Sequence, residues 1–150
     1  MDRRELLKSM VAVAATMAAG SALAEEHSHG HAAHDHGGHA ANPHQKLIEA
    51  AADCVVKAEL CLQHCLVAMG KGETDLASCA NSASQVEAVC TALQKLAAAN
   101  SKHLAEFAQA AMAICKDCED ECKKTDQHPE CKACGESCAA CYKACKQLVG

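Results

Sequence analysis

Thirteen cysteines are distributed along 150 residues, and their spacing is the feature with the most chemical consequence. Cys115, Cys118 and Cys122 form one run and Cys131, Cys134, Cys138, Cys141 and Cys145 a second, with steps of three or four residues inside each. Upstream, Cys54, Cys61 and Cys65 follow the same alternation, and Cys79 and Cys90 lie eleven residues apart. Such intervals return side chains to one face of an α-helix. Disulfides along such a face are disfavoured. Helical neighbours hold their Cβ atoms about 5–6 Å apart, whereas a disulfide wants about 3.5–4.5 Å. Bonds between helices would strand one of thirteen thiols. One or two buried cysteines pack as small hydrophobes, but that role does not account for thirteen on shared faces, where Leu, Val or Ala would pack as well without the oxidation hazard. Metal ligation does account for them. Two metal–sulfur bonds of about 2.3 Å each span roughly the gap that a disulfide cannot, so the spacing reads as a ladder of thiolate sites.

Softness and charge narrow the choice of metal. Thiolates select Cu(I), zinc or iron–sulfur clusters, and uncompensated buried charge is costly. One Cu(I) per thiolate leaves a neutral core, whereas each zinc site built from four cysteines retains two negative charges. Iron–sulfur clusters need four cysteines converging on a compact unit, usually from loops. Many Cu(I) ions at low coordination fit best, and a zinc or other soft-metal store is the alternative.

The elements that must position these thiols follow from the same periodicity. From His44, the positions Leu47, Ala51, Cys54, Ala58, Cys61, Cys65 and Ala68 mark one face of a first helix, stopped by Gly70 and Gly72. Thr74 or Asp75 can cap a second helix with the inner face Cys79, Ala83, Val86, Cys90, Leu93 and Ala97, ended by Asn100. Ser101 can cap a third, with Leu104, Ala108, Ala111, Cys115, Cys118 and Cys122 inward. Thr125, Asp126 and Gln127 form a turn, and Pro129 suits the first position of a fourth helix. Its inner face is Cys131, Cys134, Cys138, Cys141, Cys145 and Leu148. Lys116, Asp117, Glu119, Asp120, Glu121 and Lys123 fall off the seam. Short connections force antiparallel neighbours. The expected fold is therefore all-α, an antiparallel up-down-up-down four-helix bundle with a Cys-lined core, over residues 44–150.

Two segments precede it. Residues 1–24 carry Arg3-Arg4 followed by Leu6-Leu7-Lys8, a weakly apolar stretch, and the small residues Ala22-Leu23-Ala24. They resemble a twin-arginine export signal, which places the mature chain outside the cytoplasm, in the periplasm or in the lumen of internal membranes. Residues 25–43 hold His27, His29, His31, His34, His36 and His39 among small and polar residues. They read as a flexible tail that either binds Cu(II), zinc or nickel or serves as a solvated linker. The formal net charge of −5, with no basic stripe, argues against a nucleic-acid partner. No apolar run reaches the roughly 18 residues of a membrane span.

The runs Cys61-Leu62-Gln63-His64-Cys65 and Cys131-Lys132-Ala133-Cys134-Gly135-Glu136-Ser137-Cys138, behind a twin-arginine leader, resemble those of the bacterial copper storage proteins over residues 44–150. The resemblance implies Cu(I) held between pairs of thiolates. It also implies a homotetramer and, for exported members, supply of copper to a copper enzyme such as methane monooxygenase. It places His64, with Met69 nearby, at the open end of the bundle. Helix direction agrees: Cys61, Cys65, Cys115, Cys118, Cys122, Cys79 and Cys131 gather at one end, and Leu47, Leu93, Leu104, Phe107 and Leu148 plug the other. Copper is expected to enter past His64 and Met69. His103 and His128 read as surface residues at helix starts, and Met112 as core filler.

A storage protein rather than an enzyme follows from the absence of any nucleophile–base–orienter set. A copper chaperone would present one exposed pair, whereas these pairs lie on buried seams. A thiol oxidoreductase would use a low-pKa cysteine at a helix N-terminus, and Cys131 lies near one.

Overall fold

The computed structural model describes residues 42–150. The expected export signal, residues 1–24, and the six histidines of residues 25–43 lie outside the described residues. Four helices follow in order: α1 (Gln45–Met69), α2 (Ala77–Ala98), α3 (Leu104–Lys123) and α4 (Pro129–Val149), with a single 3-10 turn, Thr74–Leu76, before α2. Among the described residues there is no strand. Each helix packs against its two neighbours around a ring, α1 on α2 and α4, α3 on α2 and α4. This is the up-down-up-down bundle that the short connections demand.

The helix ends explain the tightness of the connections. At the end of α1, Gly72 adopts φ 104°, a left-handed conformation that costs glycine nothing. Its N–H donates to the Met69 carbonyl at 3.0 Å, and the Glu73 N–H reaches the Ala68 carbonyl at 3.2 Å. This paired closure satisfies carbonyls left free by the last turn. Asn100 does the same for α2 at φ 48°: its N–H donates to Ala97 at 3.1 Å and that of Ser101 to Leu96 at 3.0 Å. Neither Thr74 nor Asp75 caps α2 with its side chain, because the 3-10 turn runs directly into the helix. The Ser101 hydroxyl does accept the His103 N–H, at 3.2 Å. Pro129 opens α4, and His128 before it is extended at φ −92° and ψ 118°, as a residue preceding proline tends to be.

Asn42 ties the start of α1 to the end of α2. Its amide donates to the Ala97 and Ala98 carbonyls at 3.3 and 3.1 Å. Its side-chain oxygen accepts the His44 N–H at 2.8 Å, and the His44 ring meets Asn100 Oδ1 at 3.0 Å. Orphan helix-end carbonyls thereby gain partners, and this end of the bundle is pinned.

The inner faces match the periodic pattern closely. Every α1 and α3 position expected to face inward is buried. On α2 the inner face also takes Ala80, with Leu76 buried just before the helix; on α4 it takes Gly135 and Ser137, while Leu148 is only half-buried. Gly135 is buried because α3 passes close by. A Cβ there would lie 3.1 Å from the Cβ of Cys122. Beyond Leu76, Leu93 and Val86, the largest fully buried side chains are cysteines. The interior is thus made of alanine and thiols, which lets the helices close on a narrow core.

Candidate metal centre

All thirteen cysteines are free and buried. Every buried side-chain nitrogen or oxygen among the described residues has a hydrogen-bond partner, so the thiols are the interior groups with chemistry left to use. Sulfur–sulfur hydrogen bonds number eight. They join Cys61 to Cys79 at 3.5 Å, Cys54 to Cys138 and Cys79 to Cys122 at 3.7 Å, and Cys90 to Cys141 at 3.7 Å. Cys65–Cys131 and Cys118–Cys134 stand at 3.8 Å, and Cys118–Cys122 and Cys90–Cys115 at 3.9 Å. Only Cys118–Cys122 lies within one helix. The sequence suggested rungs along single helices, but four seams converge on one axis, and the nearest sulfur usually belongs to the next helix. None approaches the roughly 2.05 Å of a disulfide.

The sulfurs gather in groups of metal-site size. Cys54, Cys90, Cys115 and Cys141 lie mutually within 4.8 Å, as do Cys61, Cys65, Cys79 and Cys131. Two triads, Cys61–Cys122–Cys134 and Cys118–Cys134–Cys138, meet the same limit. Cys61 and Cys134 each belong to two groups, so three of the groups form a chain of shared sulfurs, and the fourth meets it where Cys54 stands 3.7 Å from Cys138. Cys145 lies at the end of the row, outside all four groups.

Protonation follows this network. Donated S–H groups, from Cys115 first and then Cys138 and Cys141, favour the Cys54 thiolate and lower its pKa. Cys122, Cys134 and Cys79 do the same for Cys61, and Cys122, Cys134 and Cys138 for Cys118. Burial raises Cys65 and pushes the Cys131 thiol up to about 12. Hydrogen bonding with Cys115 raises Cys90, and with Cys118 raises Cys122. The shifts thus alternate in direction along the network, and a metal that binds displaces the protons the sulfurs hold.

The end holding Cys65, Cys79 and Cys131 was expected to be open. It is covered instead: Ala68, the fully buried Leu76 and the buried Thr125 lie there, at the α1–α2 and α3–α4 turns. His64 stands beside this roof, but not as an isolated gate. Its Nε2 is 2.9 Å from His128 Nδ1, its Nδ1 is 3.4 Å from Glu130, and His128 Nε2 is 4.0 Å from Glu73. His128, expected at the surface, is only 19% exposed, because the α3–α4 turn folds it onto α1. The clue was available, since antiparallel topology puts the residue before Pro129 at the same end as His64. Met69 is partly buried against the core, as is Met112. His103 is 64% exposed, in keeping with a surface role.

A helical bundle with an interior of free thiols in groups of three and four is a cysteine-based metal-binding bundle. Residues 40–150 match the family model described as copper storage protein, and the chain belongs to that family. Among solved structures, apo-Csp3 (copper storage protein 3) from Bacillus subtilis is similar at 27% identity and a TM-score of 0.62, covering 70% of this chain and 97% of its own. The Cu(I)-bound copper storage protein BsCsp3 is similar at 27% identity and a TM-score of 0.64, covering 69% and 95%. A search of curated protein sequences finds no match.

Proposed function

We propose that this chain is a non-enzymatic store that holds many Cu(I) ions on Cys54, Cys61, Cys65, Cys79, Cys90, Cys115, Cys118, Cys122, Cys131, Cys134, Cys138, Cys141 and Cys145. The observation that carries the reading is the row of sulfur groups, three of them linked by the shared Cys61 and Cys134 and the fourth reached through Cys54–Cys138 at 3.7 Å. Such a chain suits Cu(I) ions bridged by common thiolates, and one monovalent ion per thiolate leaves the narrow core uncharged. The Cu(I)-bound state of a similar bundle supports the same cargo and oxidation state. Copper passes in and out at the His64 end as the cover of Ala68, Leu76 and Thr125 shifts aside, and an imidazole and the Met69 thioether there hand the ion on without holding it as tightly as a thiolate pair.

The finer parts of the reading rest on separate features. The twin-arginine leader supports export to the periplasm or an internal-membrane lumen. Delivery to an acceptor protein, with methane monooxygenase as the enzyme supplied, rests on the family likeness combined with that leader. Val56, Leu60, Leu66 and Val67 are the exposed large apolar side chains among the described residues, and all lie on α1. A concentrated apolar surface of this kind supports self-association, here as a homotetramer. No helix of the described residues is long and apolar enough to cross a membrane.

The test is an anaerobic Cu(I) titration of the reduced protein, with bound metal counted by elemental analysis. More than ten ions per chain is expected. Three or four would mean closed, zinc-like sites and end the storage reading.

A further inference from the structure

The two four-sulfur groups are alike in size and unlike in surroundings. In the group at the bundle's end, Cys61–Cys79 and Cys65–Cys131 stand at 3.5 and 3.8 Å, and all four sulfurs lie within 4.8 Å of one another. A tetrahedral ion with metal–sulfur bonds of about 2.3 Å has sulfur–sulfur edges of about 3.8 Å. A linear S–Cu–S unit with bonds of about 2.3 Å needs about 4.6 Å. The Cys61–Cys79 and Cys65–Cys131 edges match a tetrahedral site and none of the group's six edges exceeds 4.8 Å, whereas linear Cu(I) across either of those two pairs requires it to widen.

Charge separates the two groups. Four thiolates around a dication keep two negative charges, which an apolar interior disfavours. Cys54, Cys90, Cys115 and Cys141 lie at mid-bundle. The hydrogen bonds that act most strongly on Cys54, Cys90 and Cys141 come from other sulfurs. Cys61, Cys65, Cys79 and Cys131 lie at the bundle's end. There the buried Thr125 hydroxyl donates to the Cys122 carbonyl at 3.3 Å and lies beside the sulfurs of Cys79 and Cys131. His64 directly precedes Cys65, and His128 lies three residues before Cys131. Polar groups at the bundle's end offset residual negative charge better than an interior of thiols and alanine does.

We propose that Cys61, Cys65, Cys79 and Cys131 form a tetrahedral tetrathiolate site for one thiophilic dication, Zn2+, occupied when copper is scarce. The site closes the end through which copper passes, and Cu(I) displaces the dication as the chain fills. Tetrahedral geometry, rather than the sharing of sulfurs along the core, sets its capacity at one ion. Binding of Zn2+ does not depend on the storage reading, since the same four sulfurs would hold it whether or not the rest of the core takes copper.

The experiment is a titration of the reduced, copper-free full-length chain with Co2+ as a spectroscopic probe, followed by Zn2+. A tetrahedral tetrathiolate gives intense visible d–d bands and sulfur-to-cobalt charge transfer. Histidine-rich segments give weak octahedral spectra and do not confuse the count. One equivalent of tetrathiolate cobalt per chain is expected, bleached by one equivalent of Zn2+. The signal should vanish in Cys131→Ser and in Cys65→Ala and persist in Cys141→Ser, with far-ultraviolet circular dichroism verifying the fold of each. No tetrathiolate signal, a signal that survives in folded Cys131→Ser or Cys65→Ala, or two equivalents in the parent chain overturns the proposal. Cu(I) capacity measured on the same samples tests storage separately, so either reading can fail alone.

Discussion

Replacing Cys61 by serine should cost more copper than replacing Cys145. Cys61 belongs to two sulfur groups, one with Cys65, Cys79 and Cys131 and one with Cys122 and Cys134. Cys145 belongs to none. If each thiolate bridges two ions and each ion takes two thiolates, capacity is roughly one ion per cysteine. Removing a bridging sulfur then leaves two ions one ligand short, and a serine hydroxyl is too hard a donor to replace it. Cys61→Ser should lower the Cu(I) content by about two ions, and Cys145→Ser by about one or less. The stability cost runs in parallel. Cys61 is fully buried, and an unpaired hydroxyl in that place costs about 1–3 kcal/mol, so the variant should remain folded. Anaerobic titration against a coloured Cu(I) chelator, with elemental analysis of the desalted product, measures the difference. Equal losses for the two variants, with both folded, would refute the shared-sulfur network and leave the cysteines as independent sites.

The reduced copper-free chain should be almost fully helical by circular dichroism, since alanine and neutral thiols already pack every seam; a coil that folds only with Cu(I) would contradict this. Cys131 is raised from its ordinary value of 9.0 to about 12. A raised folded-state pKa gives stability that is complete below the unfolded value and is lost as pH climbs through the folded one. Cys65, Cys90 and Cys122 are raised too, against opposite shifts at Cys54, Cys61 and Cys118. Thermal melts of the copper-free protein should therefore fall between about pH 9 and 12 while those of the loaded protein hold, and melts that stay level across that window would count against it. The His64→Ala, Met69→Ala double variant should keep its capacity but exchange Cu(I) several-fold more slowly in stopped-flow transfer, and unchanged rates in both directions would move the entrance elsewhere. Gly135→Val should destabilise the bundle by about 1–3 kcal/mol, read from denaturant midpoints, because even a Cβ there meets Cys122 at 3.1 Å.

The fold was legible because each helix repeats one rule. Buried positions on α1 and α3 coincide with the three-four alternation, as backbone periodicity alone sets which face turns inward. The rule weakens where a face is not filled by a side chain. Gly135 is buried by the approach of α3, and neither composition nor period marks it as a contact. Leu148 shows the opposite case: it keeps the period but lies one residue from the end of α4, where nothing remains to cover it. At the site, the cysteines could be read individually but their groupings could not, since partnership depends on which helices adjoin and at what height. Thr125 and His128 were read as turn and surface residues. Their position at the cysteine-rich end depends on how the α3–α4 turn folds back, which local sequence does not state.

Filling this core does not require the bundle to open along its length. The hydrogen-bonded sulfur pairs stand 3.5–3.9 Å apart across the helices, shorter than the roughly 4.6 Å of a linear S–Cu–S unit built from bonds of about 2.3 Å. Moving helices apart to gain that distance would break the packing of Ala51, Ala58, Ala83, Ala108 and Ala111, all fully buried. Cysteine offers another route, because it has a single side-chain torsion with three staggered wells. Rotation between wells moves the sulfur by about 3 Å, several times the shortfall, while the backbone stays in place. Alanine beside the thiols leaves room for that movement, as leucine would not. A core of small residues and single-torsion thiols is therefore rigid in its backbone and adjustable at its sulfurs, which lets one fold serve both the empty and the filled state.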